Sequence, residues 1–478
     1  VAKLNAGLFG RAANLLDKTV FCCLLGVIVL TAIPYGTAEP WWEAVFECAV
    51  FALTALWILK GLFRGNWEVR RLTMLLPLAL LVAFAFAQTV QWPAAWSSIG
   101  RLTAQRTLTV DRYQTYLTAR KMLALTLFLG MLLLHTSTSK RLRWLVRAVI
   151  GLGLASALFA ILRQSLQSPD STMGFVLPYL FYGVGYGQFI SANAFSYLME
   201  MSFGLLVGLV VVGGVQRRHL PLCLAVSLIV WTALVLSNSR GGILSFTCQV
   251  VFLLFVALSW YSARRLSREG EGQHKWITFI QTSLLVRILV IALVVGTLTA
   301  GVFWMAADNL ASKHAEFSNV SNEDRFDGTT RKEIWRFSWD LIKSNPWTGV
   351  GFGAYSLAVT QYQIGSGRVR VEQAHNDYLD LVAAGGIVAV GLAGWFIVMV
   401  IGRLRTSLRS TDTYRRAACL GAAAGLLGVS VHSSVDFGLQ ITGLAVVFAA
   451  LIVILAADSR VESEPNERKT VTTEHRVR

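Results

Sequence analysis

The stretch Leu220–Trp260, LPLCLAVSLIVWTALVLSNSRGGILSFTCQVVFLLFVALSW, decides the fold. Two solid apolar runs, 220–237 and 242–261, flank a tight polar connection, Ser237-Asn238-Ser239-Arg240-Gly241-Gly242. Each run approaches the roughly 20 residues that a helix needs to cross about 30 Å of hydrocarbon. A membrane β-barrel would show short segments of alternating polarity instead. Open strands are excluded because lipid leaves their backbone groups unsatisfied.

The same pattern recurs on both sides of this pair. Of 478 residues, 55% are hydrophobic and 15% are charged, where a soluble domain carries nearer a quarter charged. Mean hydropathy is +0.56. Spans are expected at approximately 19–34, 43–60, 72–90, 122–135, 144–162, 193–215, 220–237, 242–261, 284–306, 376–401, 417–431 and 441–457. The expected fold is all-α, a polytopic membrane protein of about twelve transmembrane helices. One transmembrane domain covers 1–458 and includes a long, partly helical outer loop, 307–375; the polar tail 459–478 is expected to be disordered. The first apolar run follows a short basic stretch, as a signal peptide would, but further spans follow at once, and it is read as the first span.

Charge gives these spans a direction. The short loops Lys60 to Arg71, Lys140 to Arg147, Arg217–Arg218, Arg264 to Lys275 and Arg403 to Arg416 are basic. With the N-terminus in the cytoplasm, twelve alternating spans put all of them inside, as the positive-inside rule requires. Both termini are then cytoplasmic and the long loops lie outside. The net charge of +16 reflects topology and contact with anionic membrane lipid, and no nucleic-acid partner is implied. The six cysteines all lie within apolar runs, so they form neither a disulfide framework nor a zinc site and read as packing residues.

The outer face collects the chemically interesting residues. His314, His375 and His432 fall there. Loops as long as 307–375 usually carry function. Thr330 followed by Glu333, then Ile334, Phe337, Trp339 and Leu341–Ile342, has helical spacing, and Ser344-Asn345-Pro346 stops it. The glycine-rich turn Gly349, Gly351, Gly353 reads as plain loop or as a phosphate cradle. Arg240, between two apolar runs, is either a snorkelling anchor or the partner of an anion at membrane depth. His375 opens the tenth span beside Asn376, Asp377 and Asp380, and Asp377 or Asp380 could orient its imidazole as a general base is oriented. His432 and Asp436 form a similar, weaker group. The acidic cluster Glu323, Asp324, Asp327 reads as a solvated loop face, with Mg²⁺ or Ca²⁺ binding as the alternative. Glu47 and Glu200, inside spans, are interior polar contacts or substrate contacts.

Arg240, Arg331 and Arg336 on one face suit a pyrophosphate, which arginine binds in a bidentate way. At membrane depth that suggests a lipid-linked donor. A histidine base nearby suggests activation of an acceptor hydroxyl, with the arginines stabilising charge that builds on the leaving pyrophosphate.

Four stretches resemble a known family: Gly187-Gln188-Phe189-Ile190-Ser191-Ala192-Asn193-Ala194-Phe195-Ser196-Tyr197-Leu198; Ser239-Arg240-Gly241; Arg331 to Trp335 followed by Pro346 and Gly349-Val350-Gly351-Phe352-Gly353; and His375-Asn376 with Tyr378-Leu379 and Gly385-Gly386. The segment His432-Ser433-Ser434-Val435-Asp436-Phe437-Gly438-Leu439-Gln440 looks like a subgroup signature. Together, over roughly 185–440, they resemble the O-antigen ligase and polymerase superfamily, the Wzy/WaaL-type membrane glycosyltransferases. The resemblance implies an inverting transfer of an undecaprenyl-pyrophosphate-linked glycan, on the periplasmic face of a bacterial inner membrane, to an acceptor hydroxyl. Ligases use lipid A-core as acceptor; polymerases, in O-antigen or exopolysaccharide synthesis, use another lipid-linked repeat unit. It implies His375 as catalytic base and Arg240 and Arg331 as pyrophosphate ligands; Asn376, Asp377, Asn193, Arg336 and Asp436 are read as supporting residues, and no cofactor and no metal are expected.

Two other readings compete. A flippase or transporter should show paired broken helices or a repeat in its two halves, and neither is evident. An intramembrane hydrolase should show a His-Glu-x-x-His pair or a Gly-x-Ser-x-Gly elbow, and neither occurs.

Overall fold

A computed structural model describes residues 2–64, 69–93, 106–168, 177, 179, 180, 184–266, 331–362 and 371–457. Besides the four-residue helix Tyr355–Ala358, twelve α-helices organise them: α1 Ala2–Ala32, α2 Pro40–Arg64, α3 Leu76–Gln88, α4 Arg112–His135, α5 Ser139–Leu166, α6 Ala192–Val211, α7 Leu220–Leu236, α8 Arg240–Leu266, α9 Arg331–Ser344, α10 Asp377–Leu408, α11 Thr413–His432 and α12 Thr442–Ala456. Among the described residues there is no strand beyond an isolated bridge, Tyr186–Phe189. Eight of the helices are long and apolar enough to cross a membrane, and Leu72–Gln88 and Thr442–Ala456 are shorter apolar helices. The chain is an all-α polytopic membrane protein. The expected span 284–306, the cluster Glu323/Asp324/Asp327, His314 and the tail 459–478 lie outside the described residues.

Helix starts follow local chemistry. Side chains of Asp111, Thr138, Ser191, Asn376 and Asp412 accept hydrogen bonds from the first-turn N–H groups of α4, α5, α6, α10 and α11, which satisfies donors that the helix itself leaves open. Pro40 begins α2, and α3 and α7 carry proline in their first turn, where its missing N–H costs nothing. Asp111 accounts for a difference from sequence expectation. The apolar run predicts the fourth span over 122–135; the helix starts at Arg112, because Asp111 caps it there and a more polar first half leads into the apolar run.

The centre of the bundle is the pair α6 and α11. Within α6, 83% of the span is buried in the protein, against at most 44% for any other spanning helix. Glycines permit the contact. A Cβ on Gly208 would lie 2.2 Å from the Gly421 Cα, and one on Gly204 would lie 2.6 Å from the Gly425 N. Lipid tails are as apolar as side chains, so close backbone approach with its dispersion contacts takes the place of hydrophobic drive.

The contacts between helix ends sort into two groups, so the two ends of the bundle differ. At one end, Asp17 pairs with Lys60 and Arg141 and lies 3.7 Å from His135 Nε2. Arg415 reaches the Ala457 carbonyl at the same end. The opposite end carries Arg240, His375 and the 432–440 connection.

Helix α10 is broken. Its 32 residues correspond to about 48 Å, more than a bilayer core needs. Gly386, at φ 58° and ψ −155°, leaves the helical path. Four of the opened groups are met from neighbouring segments. Ala383 and Ala384 carbonyls accept from Val350 N–H (2.9 Å) and Gly351 N–H (3.0 Å). Ile387 N–H donates to the Pro346 carbonyl at 2.9 Å and Val388 N–H to Trp347 at 3.4 Å. Gln88 of α3 donates to the Thr348 (2.8 Å) and Ala384 (3.0 Å) carbonyls and accepts from Phe352 N–H at 3.2 Å. The segment beyond the break, Ile387–Leu408, is about 33 Å long, enough to span by itself. Non-helical backbone is tolerated in such a protein only where protein groups satisfy it. The break is one that sequence reading did not find; no paired break occurs among the described residues.

Candidate functional site

The site is assembled around the connection from the end of α11 to α12. Asp377 N–H donates to the Ser433 and Asp436 carbonyls at 2.9 and 3.2 Å. Asn376 Nδ2 donates to the Ser434 carbonyl at 2.8 Å, while its Oδ1 accepts from Tyr378 and Leu379 N–H at 2.9 and 3.1 Å. Asn376 is thus both the cap of α10 and its fastening to the 432–437 corner. His375 precedes it at φ +50°, a left-handed conformation that is uncommon for a non-glycine residue and that clusters at functional sites.

The carboxylate beside the His375 ring is Asp436, with Oδ1 3.8 Å from Nδ1, an ion-pair separation rather than a hydrogen bond. The ring also meets Phe437 edge-on, centroids 5.0 Å apart. Burial alone would push the Asp436 carboxyl up. The adjacent His375 ring, the Phe437 N–H at 2.9 Å and the nearby His432 outweigh it and hold Asp436 below the usual carboxylate range. Asp377 and Asp380 are engaged elsewhere. Asp377 Oδ2 accepts from Ser433 Oγ (2.7 Å) and Leu439 N–H (3.3 Å). Asp380 accepts from Ala374 N–H and from Gln440 Nε2 at 2.7 Å.

Arg240 is the first residue of α8 and is exposed. Its position is prepared by Ser239, whose Oγ accepts from Gly242 N–H at 3.0 Å and donates to Asn193 Oδ1 at 2.7 Å. Asn193 is therefore a support for the turn that presents Arg240. The next residue, Gly241, lies against His432 and Val435. One corner thus touches both the Arg240 turn and the His375 segment.

Arg331 opens α9 half-buried, and Arg336 is exposed on it. The apolar face of α9, Ile334, Leu341 and Ile342, shares a small core with Val350, Val371, Ala374 and Ala383. Ile334 stands one turn from Arg331, and Ala374 adjoins His375, so this core docks the arginine helix onto the His375 segment.

Of the two readings of the glycine-rich turn, the structure favours the plain one. Gly349, Gly351 and Gly353 all have positive φ, but the Val350 and Gly351 amides are occupied by the break in α10. A Cβ on Gly349 would lie 2.3 Å from the Ala384 backbone carbon. Glu47 is an interior ion pair, its Oε2 2.5 Å from Arg120 Nε. Glu200 is fully buried and bonds His432 Nδ1 at 2.8 Å. Sequence reading singled out both Glu200 and His432 without pairing them, because 232 residues separate them. It missed Gln88 and Arg163. Arg163 donates to the Val184 and Gly187 carbonyls at 2.7 and 2.8 Å, anchoring the turn before α6. Its one sequence signal is a cation near the end of an apolar run.

No curated protein matches this chain. Residues 225–396 match the family model Wzy_C, O-antigen ligase; that stretch contains Arg240, Arg331, Arg336, His375, Asn376 and Asp377, while Asn193, Glu200, His432 and Asp436 stand outside it. With four helix ends gathered around one corner, the match over residues 225–396, less than half of the chain, supports an O-antigen ligase/polymerase family assignment.

Proposed function

We propose that this protein transfers a glycan from undecaprenyl pyrophosphate to an acceptor hydroxyl at the periplasmic end of the bundle. The observation that supports it best is the 432–437 corner, which contacts the Arg240 turn through Gly241 and the His375 segment through Asp436. A base and an anion ligand are thereby held on one rigid connection.

In this reading Arg240 and Arg331 bind the donor pyrophosphate, with Arg336 adding positive charge on the same helix. His375 removes the proton from the acceptor hydroxyl as its oxygen attacks the anomeric carbon. The bond from that carbon to the pyrophosphate oxygen breaks, undecaprenyl pyrophosphate departs, and the anomeric centre inverts. The arginines stabilise the charge that develops on the leaving group, without a metal. Asp436 stands beside the His375 ring and keeps it oriented.

The test is purified protein with a defined lipid-linked repeat unit and no other acceptor. Chain growth identifies a polymerase; inertness until lipid A-core is added identifies a ligase; inertness in both settings rejects the proposal. His375→Ala is expected to abolish turnover at normal protein abundance. Arg240→Lys should also fail, since a point charge does not replace the planar fork. Activity should survive EDTA, and its loss there would overturn the metal-independent step.

A further inference from the structure

His432 is wholly buried, and its surroundings leave its ring no freedom. Nδ1 bonds Glu200 Oε1 at 2.8 Å. One face stacks on Tyr197, with centroids 4.0 Å apart and planes within 9°. Another edge lies against Gly241: a Cβ there would stand 2.5 Å from Nε2 and 2.7 Å from Cδ2. The imidazole therefore occupies the space that a side chain at 241 would take. The first turn of α8 rests on it directly.

The same helix end leads into Ser433–Asp436, which ties down Asp377 and stands beside His375. Tyr197 adds a second tie, its hydroxyl donating to Ser433 Oγ at 3.4 Å. A buried ionisable pair contributes little to stability, and an apolar replacement of equal volume often does as well or better. What such a pair supplies is registry: one permitted orientation where apolar packing would allow several.

We propose that His432 is a positioning residue for Arg240. Acting through Gly241, the buried Glu200–His432–Tyr197 assembly sets the distance between the arginine that binds the donor and the base that activates the acceptor. This rests on the reading of Arg240 as a pyrophosphate ligand. Arg240 opens α8 and His375 precedes the cap of α10, and the corner meets Gly241 beside the one and the ring of the other.

The experiment measures donor KM, acceptor KM and kcat for detergent-purified, full-length variants. Gly241→Ala is expected to raise donor KM about 10- to 100-fold, the scale of a misplacement near 1 Å, with acceptor KM little changed. Adding His432→Gln, which removes the ring but keeps a donor for Glu200, should restore most of the donor KM. Glu200→Gln alters no volume and should raise donor KM by itself; it carries the test if Gly241→Ala does not accumulate. Unchanged donor KM in Glu200→Gln and Gly241→Ala, with Arg240→Lys impaired, overturns the positioning role and leaves the Arg240 assignment standing. Unchanged donor KM in Arg240→Lys removes that assignment itself, and the positioning role falls with it. A loss confined to kcat in Gly241→Ala also overturns the proposal.

Discussion

Ser239 donates its hydroxyl proton to Asn193 Oδ1 at 2.7 Å and so keeps its own lone pairs for the Gly242 N–H. Two helices, α6 and α8, are joined by that contact one residue before Arg240. Asn193→Ala leaves the Ser239 rotor without its partner. A hydrogen bond of this kind is worth about 1 kcal/mol, and activity is expected to fall roughly fivefold. Asn193→Asp keeps the acceptor and should retain more activity than the alanine variant. Steady-state rates at matched protein abundance decide it, and equal losses in the two variants would detach Asn193 from the cap.

Asp436 has a pH signature of its own. Its folded pKa is depressed below the ordinary 3.8. Its contribution to stability is therefore fully present above that value and is lost as pH falls through the lower folded one. Asp436→Asn should flatten the acid limb of the thermal stability profile below about pH 4. It should also lower kcat by up to about 100-fold through loss of orientation at His375. Unfolding midpoints measured across the acid range, together with kcat at neutral pH, check both parts.

The α10 break makes a backbone prediction. Gly386 occupies a region of φ/ψ space open in practice only to glycine, and a Cβ there would stand 2.4 Å from the Trp347 carbonyl oxygen. Gly386→Ala should cost at least about 1–3 kcal/mol from strain alone and reduce folded protein sharply. Gly391→Ala and Gly394→Ala, on the same helix with nothing within 4 Å, should accumulate normally. Fluorescence-detected size exclusion of the three variants separates them.

A similar contrast applies at the centre of the bundle. Gly208→Ala drives a methyl group into the Gly421 backbone, and overpacking of this kind costs about 1–3 kcal/mol. Gly151→Ala, in open space on α5, should be silent. Thermal unfolding in detergent reads the difference, and equal midpoints would remove the α6–α11 contact from the account of stability.

Much of this architecture was legible in the amino-acid order. The solid runs around Arg240 required helices, and the alternation of basic loops sorted Arg240, Arg331 and His375 onto one end before any contact was known. Short-range chemistry was legible too: Asn376 directly before the apolar run of α10 is a cap by residue type and place. Long-range pairing was not. Nothing local tells Glu200 that His432 is its partner, or Gln88 that it will fill the Gly386 break. The glycine-rich turn shows the limit most clearly. The three glycines read first as plain loop, with a phosphate cradle as the alternative, and the carbonyls that take up the Val350 and Gly351 amides lie more than thirty positions further along. The order of His375, Asn376, Asp377 and Asp380 suggested a local orienting carboxylate, whereas the one beside the ring arrives from the far end of α11.

The break in α10 also constrains exchange of parts between relatives. The outer segment 346–351 supplies the donors and acceptors that let one helix open at Gly386, so it cannot be shortened or grafted alone. A chimera that takes the loop from one protein and the helix from another leaves several backbone groups stranded beside the membrane, each costing several kcal/mol. The heritable unit is the loop together with residues 383–388 and the glutamine of α3 that bridges them.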